Sequence, residues 1–399
     1  MHAPSHNCGA RTALFTAGFR PFYLGAAMWA ALAVPLWLAA YTAGLILPSG
    51  SPPLVWHAHE MIYGYGSAVL AGVLLLSLQG RLLTAMIALW LAGRVAMLLS
   101  AEIGVRLAAV AELAFPAVFL VVMAEEIAAT RNWRNVPVLG ALLALLCGDA
   151  LVQLGVAGFA DTALLGNRIG VATLLFMIAF VGGRIVPDFT RQWLVKHRAT
   201  VRRPNLADAF DHCALVLTLL ALAGWAAAPD KTPTSWMLLA GGVATLLRLV
   251  RWRSWTTLRE PLVTVLHVGY GWLGLGMLLV GANGIFAFMP PPDALHAFTI
   301  GAIGTMTLGV MTRATLEHTG ASLSAGPAAV TIYSAVTAAA ILRLAVPFAG
   351  DNAFLFLWLA GGFWVVAFVL FLVFYGGMLI RPRRLPFATT GRQGSRNSA

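Results

Sequence analysis

Charge is scarce in this chain. Only 10% of its 399 residues are charged and 60% are hydrophobic, where soluble domains carry about 25% charged residues. That shortage excludes an ordinary soluble protein, and the longest polar stretch, 184–208, is no larger than a loop. Cysteine is nearly absent as well. Cys8, Cys147 and Cys213 lie far apart with no CxxC pair, which excludes a disulfide framework and a thiolate zinc site. No short apolar core is followed by a small-residue cleavage site at the N-terminus, so a removable signal peptide is not expected. No internal repeat is visible along the sequence either, and with it goes the inverted-repeat signature of many transporters.

What the chain has is apolar length. Runs of about 20 residues, enough to cross a bilayer, follow one another at 22–47, 57–78, 83–100, 105–128, 136–158, 163–189, 210–228, 235–250, 262–286, 294–312, 328–349 and 353–380. The expected fold is all-α, a polytopic transmembrane bundle of about twelve spans. It divides into a tail 1–21, a membrane domain 22–380 and a basic, disordered tail 381–399. The net charge of +11 does not point to nucleic acid, because its distribution follows the loops. With the N-terminus inside, 21 of the 26 Lys and Arg fall on the cytoplasmic side. That asymmetry predicts an even number of spans with both termini in the cytoplasm.

Charges inside the spans are candidates for function. Arg94 lies about 11 residues into the third span, roughly 16 Å at 1.5 Å per residue, and Glu112 enters the fourth to a similar level. Asp149 and Arg168 match in depth on spans five and six. Each pair is expected to neutralise itself, whereas Arg343 has no obvious neighbour. Arg94, Arg168 and Arg343 are also candidates for clamping carboxylates bidentately.

Histidines supply the candidate metal ligands, because neutral imidazole is the commonest protein ligand for iron and copper. His2 and His6 sit in the N-terminal tail with Cys8, His197 lies in a basic loop, and six others lie at or within the membrane boundary. The stretch Trp56-His57-Ala58-His59-Glu60-Met61 places two of them at the outer start of span two, and His296 starts span ten on the same side. His212, His267 and His318 lie toward the inner side. On a helix, residues two apart point about 200° away from each other. His57 would then share a face with Glu60 and Met61, and His59 with Tyr63. The two imidazoles meet at one metal only where the chain is still extended, which would allow a three-histidine outer site with His296.

Five segments resemble signature stretches of the NnrS family, in the expected order. They are FRPFYLGAAMWAALAVPLWL from Phe19, WHAHEMIYGYGSAVLAG from Trp56, GGRIVPDFT from Gly182, LHVGYGWLGLG from Leu266 and HAFTIGAIGTMTLGVMTRATLEHTG from His296. The resemblance implies a bacterial inner-membrane protein that binds haem and copper. It also implies a role in the nitric oxide response, in denitrification or in tolerance of nitrosative stress, with nitric oxide or iron-nitrosyl species and the bilayer as partners. Its motifs carry His57, His59, His267, His296 and His318. The cofactor-binding candidates are therefore His57, His59, His267 and His296. The metal candidates are His57, His59, His296, His318 and Met61. Glu60, Tyr63, Arg94, Arg168 and Arg343 are expected to support them. The haem–copper oxidase large subunit is excluded, because it needs adjacent paired histidines and this chain has no His-His. A reading from another class, a secondary transporter of a metal or metal complex, would use the same histidines as a transient site.

Overall fold

The computed structural model describes residues 13–197 and 208–382. His2, His6, Cys8, Arg198, Arg202, Arg203 and the tail from 383 lie outside the described residues. No strand occurs among those described. The helices that cross the bundle are α1 (Phe19–Thr42), α2 (53–74), α3 (Gly80–Leu98), α4 (Val105–Thr130), α5 (Val136–Val156) and α6 (Ala163–Lys196). They continue as α7 (Ala209–Ala227), α8 (Thr232–Arg251), α9 (Pro261–Phe286), α10 (Pro291–Thr319), α11 (Pro327–Ala345) and α12 (Ala353–Ile380). Eleven of them are long and apolar enough to cross a membrane as single helices. The remaining one, α2, is assembled from the pieces Pro53–His59, Glu60–Gly66 and Ser67–Leu74.

Several spans begin earlier than their apolar runs because proline starts them. Pro53, Pro261, Pro291 and Pro327 each occupy the first turn, where a missing N–H costs nothing and a fixed φ favours the helix. The end of α10 is equally explicit. Gly320 adopts φ 75° and its N–H and that of Ala321 donate to the Glu317 and Leu316 carbonyls, a left-handed cap that glycine supplies without strain.

Three spans carry a π-helical segment, at Glu60–Gly66, Ile178–Gly182 and Ala297–Gly304. They are α2, α6 and α10, spaced four spans apart. A π turn takes in an extra residue and is found mostly at functional sites. The first and third follow matching sequence, Pro52-Pro53-Leu-Val-Trp-His57-Ala and Pro291-Pro292-Asp-Ala-Leu-His296-Ala. A short local repeat therefore exists where none was expected. These spans form the interior of the bundle. The apolar windows of α6 and α10 are 67% buried, against 33% for α4 and α11, and 62–72 of α2 is buried throughout.

The first and last spans meet, α1 packing along α12. The Ala13 N–H donates to the Ile380 carbonyl at 2.8 Å, and Arg20 Nη1 donates to the Met378, Leu379 and Arg381 carbonyls at 3.0 Å each. Arg20 thereby satisfies the free carbonyls at the C-terminal end of α12. Both ends of the described bundle lie on one face.

Candidate functional site

At the face opposite those ends, a cavity of about 720 Å³ opens between α1, α2, α6, α10, α11 and α12. Trp37, Leu38, Ile303 and Trp364 form apolar wall, while His57, Met61, Arg168, His296 and Arg343 bring polar or ligating groups to it. The matching Pro-Pro-x-x-x-His segments of α2 and α10 thus deliver His57 and His296 to the same space.

The two imidazoles are held differently. His296 Nδ1 lies 2.7 Å from the Pro292 carbonyl, which fixes an Nδ1–H and leaves the Nε2 lone pair free. His57 stacks on Trp37 with ring centroids 4.1 Å apart, and its buried Nδ1 has no hydrogen-bond partner. Arg168 Nε donates to the Ala226 carbonyl at 3.0 Å. Arg343, expected to stand alone, forms an ion pair with Asp293 one turn before His296, and its buried Nε has no partner. The expected Asp149–Arg168 pair does not form. The two residues match in depth but face different neighbours, Arg168 toward the cavity and α7, Asp149 toward α2.

His59 belongs to a second group, buried between α2, α3, α4 and α5. Its Nδ1 lies 3.0 Å from Glu60 Oε1, and its Nε2 lies 3.1 Å from Asp149 Oδ1 and 3.7 Å from Glu112 Oε1. Gln153 Nε2 donates to Asp149 Oδ1 at 3.1 Å and lies 3.0 Å from His59 Nε2. Arg94 pairs with both Glu60 and Glu112, the latter as its depth predicts, and Trp29 Nε1 donates to Glu60 Oε2 at 2.8 Å. His59, Glu60 and Asp149 are fully buried, Glu112 and Arg94 nearly so. Gly64 makes this convergence possible, because a Cβ there would stand 2.5 Å from Arg94 Nη1 and 3.0 Å from Glu60 Oε2. His59, Glu112 and Asp149 each offer one ligand atom, all within 4.8 Å of one another, and such a group is able to hold a metal ion.

The helical spacing of His57 and His59 therefore separates them, and the three-histidine outer site is not assembled. Glu60 goes with His59, not with His57 and Met61, because its carboxylate reaches back to His59 Nδ1 and across to Arg94. Tyr63 does accompany His59, with ring centroids 5.3 Å apart, and its hydroxyl donates to the Gly166 carbonyl. His267 stands apart from both groups. Its Nδ1 lies 3.1 Å from the Val263 carbonyl and its Nε2 lies 3.1 Å from Thr190 Oγ1. His318 is exposed near the end of α10, against Phe19, and His212 is exposed at the start of α7.

Sequence reasoning assigned Glu112 and Asp149 only to neutralising arginine and overlooked Gln153. A legible signal was present in that Asp149 and Gln153 are one helical turn apart in an otherwise apolar run. The matching proline–histidine segments were the other.

A family model described as NnrS protein matches residues 13–383, nearly the whole chain. No curated protein matches it.

Proposed function

The chain belongs to the NnrS family, and from that premise we propose a haem-binding protein of the bacterial inner membrane that acts on nitric oxide, in denitrification or in tolerance of nitrosative stress. The observation that carries this reading is the convergence of two imidazoles with uncommitted nitrogens, His57 and His296, on one apolar cavity flanked by two arginines. Its volume of about 720 Å³ lies within the roughly 300–1,000 Å³ typical of ligand sites.

The residues fit haem in four respects. His296 presents Nε2 because Pro292 holds its other nitrogen, the arrangement that orients metal-ligating imidazoles. His57 offers a nitrogen that no protein group occupies. Arg168 and Arg343 suit carboxylates such as propionates, which planar guanidinium recognises bidentately. Trp37, Trp364 and the aliphatic walls give the ring apolar surroundings, and the polarity of the pocket governs what the iron does. Bound there, haem would supply an iron at which nitric oxide coordinates. The protein's part is to hold the imidazoles, neutralise the carboxylates and admit a small uncharged gas.

Copper fits less well. Its candidate donors His57, His296 and Met61 line the same cavity that haem would fill, while His59 and His318 lie elsewhere.

The test is the absorption spectrum of detergent-purified full-length protein, oxidised, dithionite-reduced and treated with nitric oxide. A Soret band that shifts with nitric oxide is expected. His296→Ala and His57→Ala should each lose or alter it, and His267→Ala should leave it unchanged. A wild-type protein without haem, from cells able to make and insert it, overturns the proposal and favours the transporter.

A further inference from the structure

We infer that His59, Glu112 and Asp149 form a resident site for a first-row divalent cation such as Zn²⁺ or Fe²⁺, walled off from the haem-sized cavity. The inference does not depend on haem occupying that cavity.

Three independent observations carry it. The first is donor geometry. Two oxygens lie 3.1 and 3.7 Å from His59 Nε2, bracketing the about 3.3–3.4 Å that separates neighbouring ligands around a tetrahedral ion with bonds of about 2.0–2.1 Å. The second is the outer partner of His59. Its Nδ1 lies 3.0 Å from Glu60 Oε1, so a neutral imidazole that donates there turns its Nε2 lone pair toward the two carboxylate oxygens. That is the carboxylate–histidine–metal arrangement in which an outer carboxylate fixes the ligating nitrogen. A cation on that side, a proton on Nε2 or a metal ion, is what joins this nitrogen to those oxygens, and Gln153 Nε2 lies 3.0 Å from it as well. The third is what the protein leaves unpaired. Asp149 Oδ2 and Glu112 Oε2 are buried without partners on residues 0% and 2% exposed, and a buried acceptor without a donor is costly.

Charge counting gives the valence. With His59 neutral, as a ligating imidazole must be, and the three carboxylates ionised, Glu60, Glu112 and Asp149 bring three negative charges and Arg94 one positive, a sum of −2. A divalent cation brings the cluster to zero, which a bilayer interior strongly favours. Three donors of nitrogen and oxygen, with no sulfur, suit zinc, ferrous iron or manganese better than cuprous copper.

Full-length protein in nanodiscs, stripped with chelator, would be titrated with Zn²⁺ by calorimetry and examined at the zinc X-ray absorption edge, where haem iron does not interfere. One equivalent of Zn²⁺ is expected, with a nitrogen and oxygen shell at about 2.0–2.2 Å. Glu112→Gln and Asp149→Asn should each abolish that binding. Glu60→Gln should weaken it about 10–100-fold, the usual effect of losing an outer-shell partner. His296→Ala, in which haem is lost, should still bind Zn²⁺, so that failure of the haem reading and failure of this one are distinguishable. No bound Zn²⁺, or undiminished Zn²⁺ in both carboxamide variants, overturns the proposal. Should either variant fail to fold, the wild-type spectrum decides. A shell containing sulfur, or two or more imidazoles, would put the ion in the cavity with Met61, His57 and His296 and overturn it equally.

Discussion

Arg94 reaches Glu60 on α2 and Glu112 on α4 from a position 3% exposed. Each such charge alone would cost roughly 2.5–3.5 kcal/mol at mid-membrane on the insertion scale, so the group persists only as a set. Arg94→Gln is expected to destabilise the protein by about 3–5 kcal/mol, because it strands two buried carboxylates. Chemical unfolding in detergent would measure this, and an unchanged midpoint would show that water or protons replace the guanidinium. The Arg94–Glu112 pair was legible from depth, since α3 and α4 are consecutive and a short connection makes them neighbours. The same logic failed for Asp149 and Arg168. Depth fixes the level of a side chain along a helix, not the direction it faces, and α2 contributes His59 to Asp149 from 90 positions earlier in the chain. Toward the face that carries both ends of the bundle, Arg248 donates to Asp211 at 3.0 Å and to the Tyr270 hydroxyl at 2.6 Å. No sequence pattern joined those three residues.

Among the helices, the π segments are what hydropathy leaves invisible. An apolar run reads the same whether its turns are α or π, because hydropathy carries no record of the number of residues per turn. Yet each π turn rotates the rest of its span relative to the turns before it. The segments depend on close packing by small residues. Tyr63 lies between α5 and α6, where a Cβ on Gly148 or Gly170 would stand 2.5 or 2.6 Å from its hydroxyl oxygen. Gly170→Val should therefore cost about 1–3 kcal/mol through overpacking and push Tyr63 away from the Gly166 carbonyl. Unfolding measurements on Gly170→Val and on Gly170→Val/Tyr63→Phe would separate the two effects. Equal losses would show that the hydroxyl is not what the added side chain meets. The opposed directions of His57 and His59, in contrast, followed from helical spacing alone and needed no knowledge of packing.

For the whole molecule, span number and the shared face of both ends agree with what charge and apolar length implied. Sidedness rests on the loop charges, 21 of 26 basic residues on one side. With Cys8, Cys147 and Cys213 replaced by serine, a single cysteine at Asp230 should react with an impermeant maleimide added to intact cells, and one at Arg131 should not. The reverse pattern would invert the topology and put the cavity mouth in the cytoplasm. The contact of Ala13 and Arg20 with the end of α12 also sets an order of events during synthesis. At about 5–20 residues per second, α1 enters the bilayer tens of seconds before its partner exists. Until then its packing face meets lipid, and the cavity lacks the wall that Trp364 supplies. A chain stopped anywhere before α12 can be inserted and still lack a complete cavity, so loading of the haem proposed above would wait for the last helix to leave the ribosome.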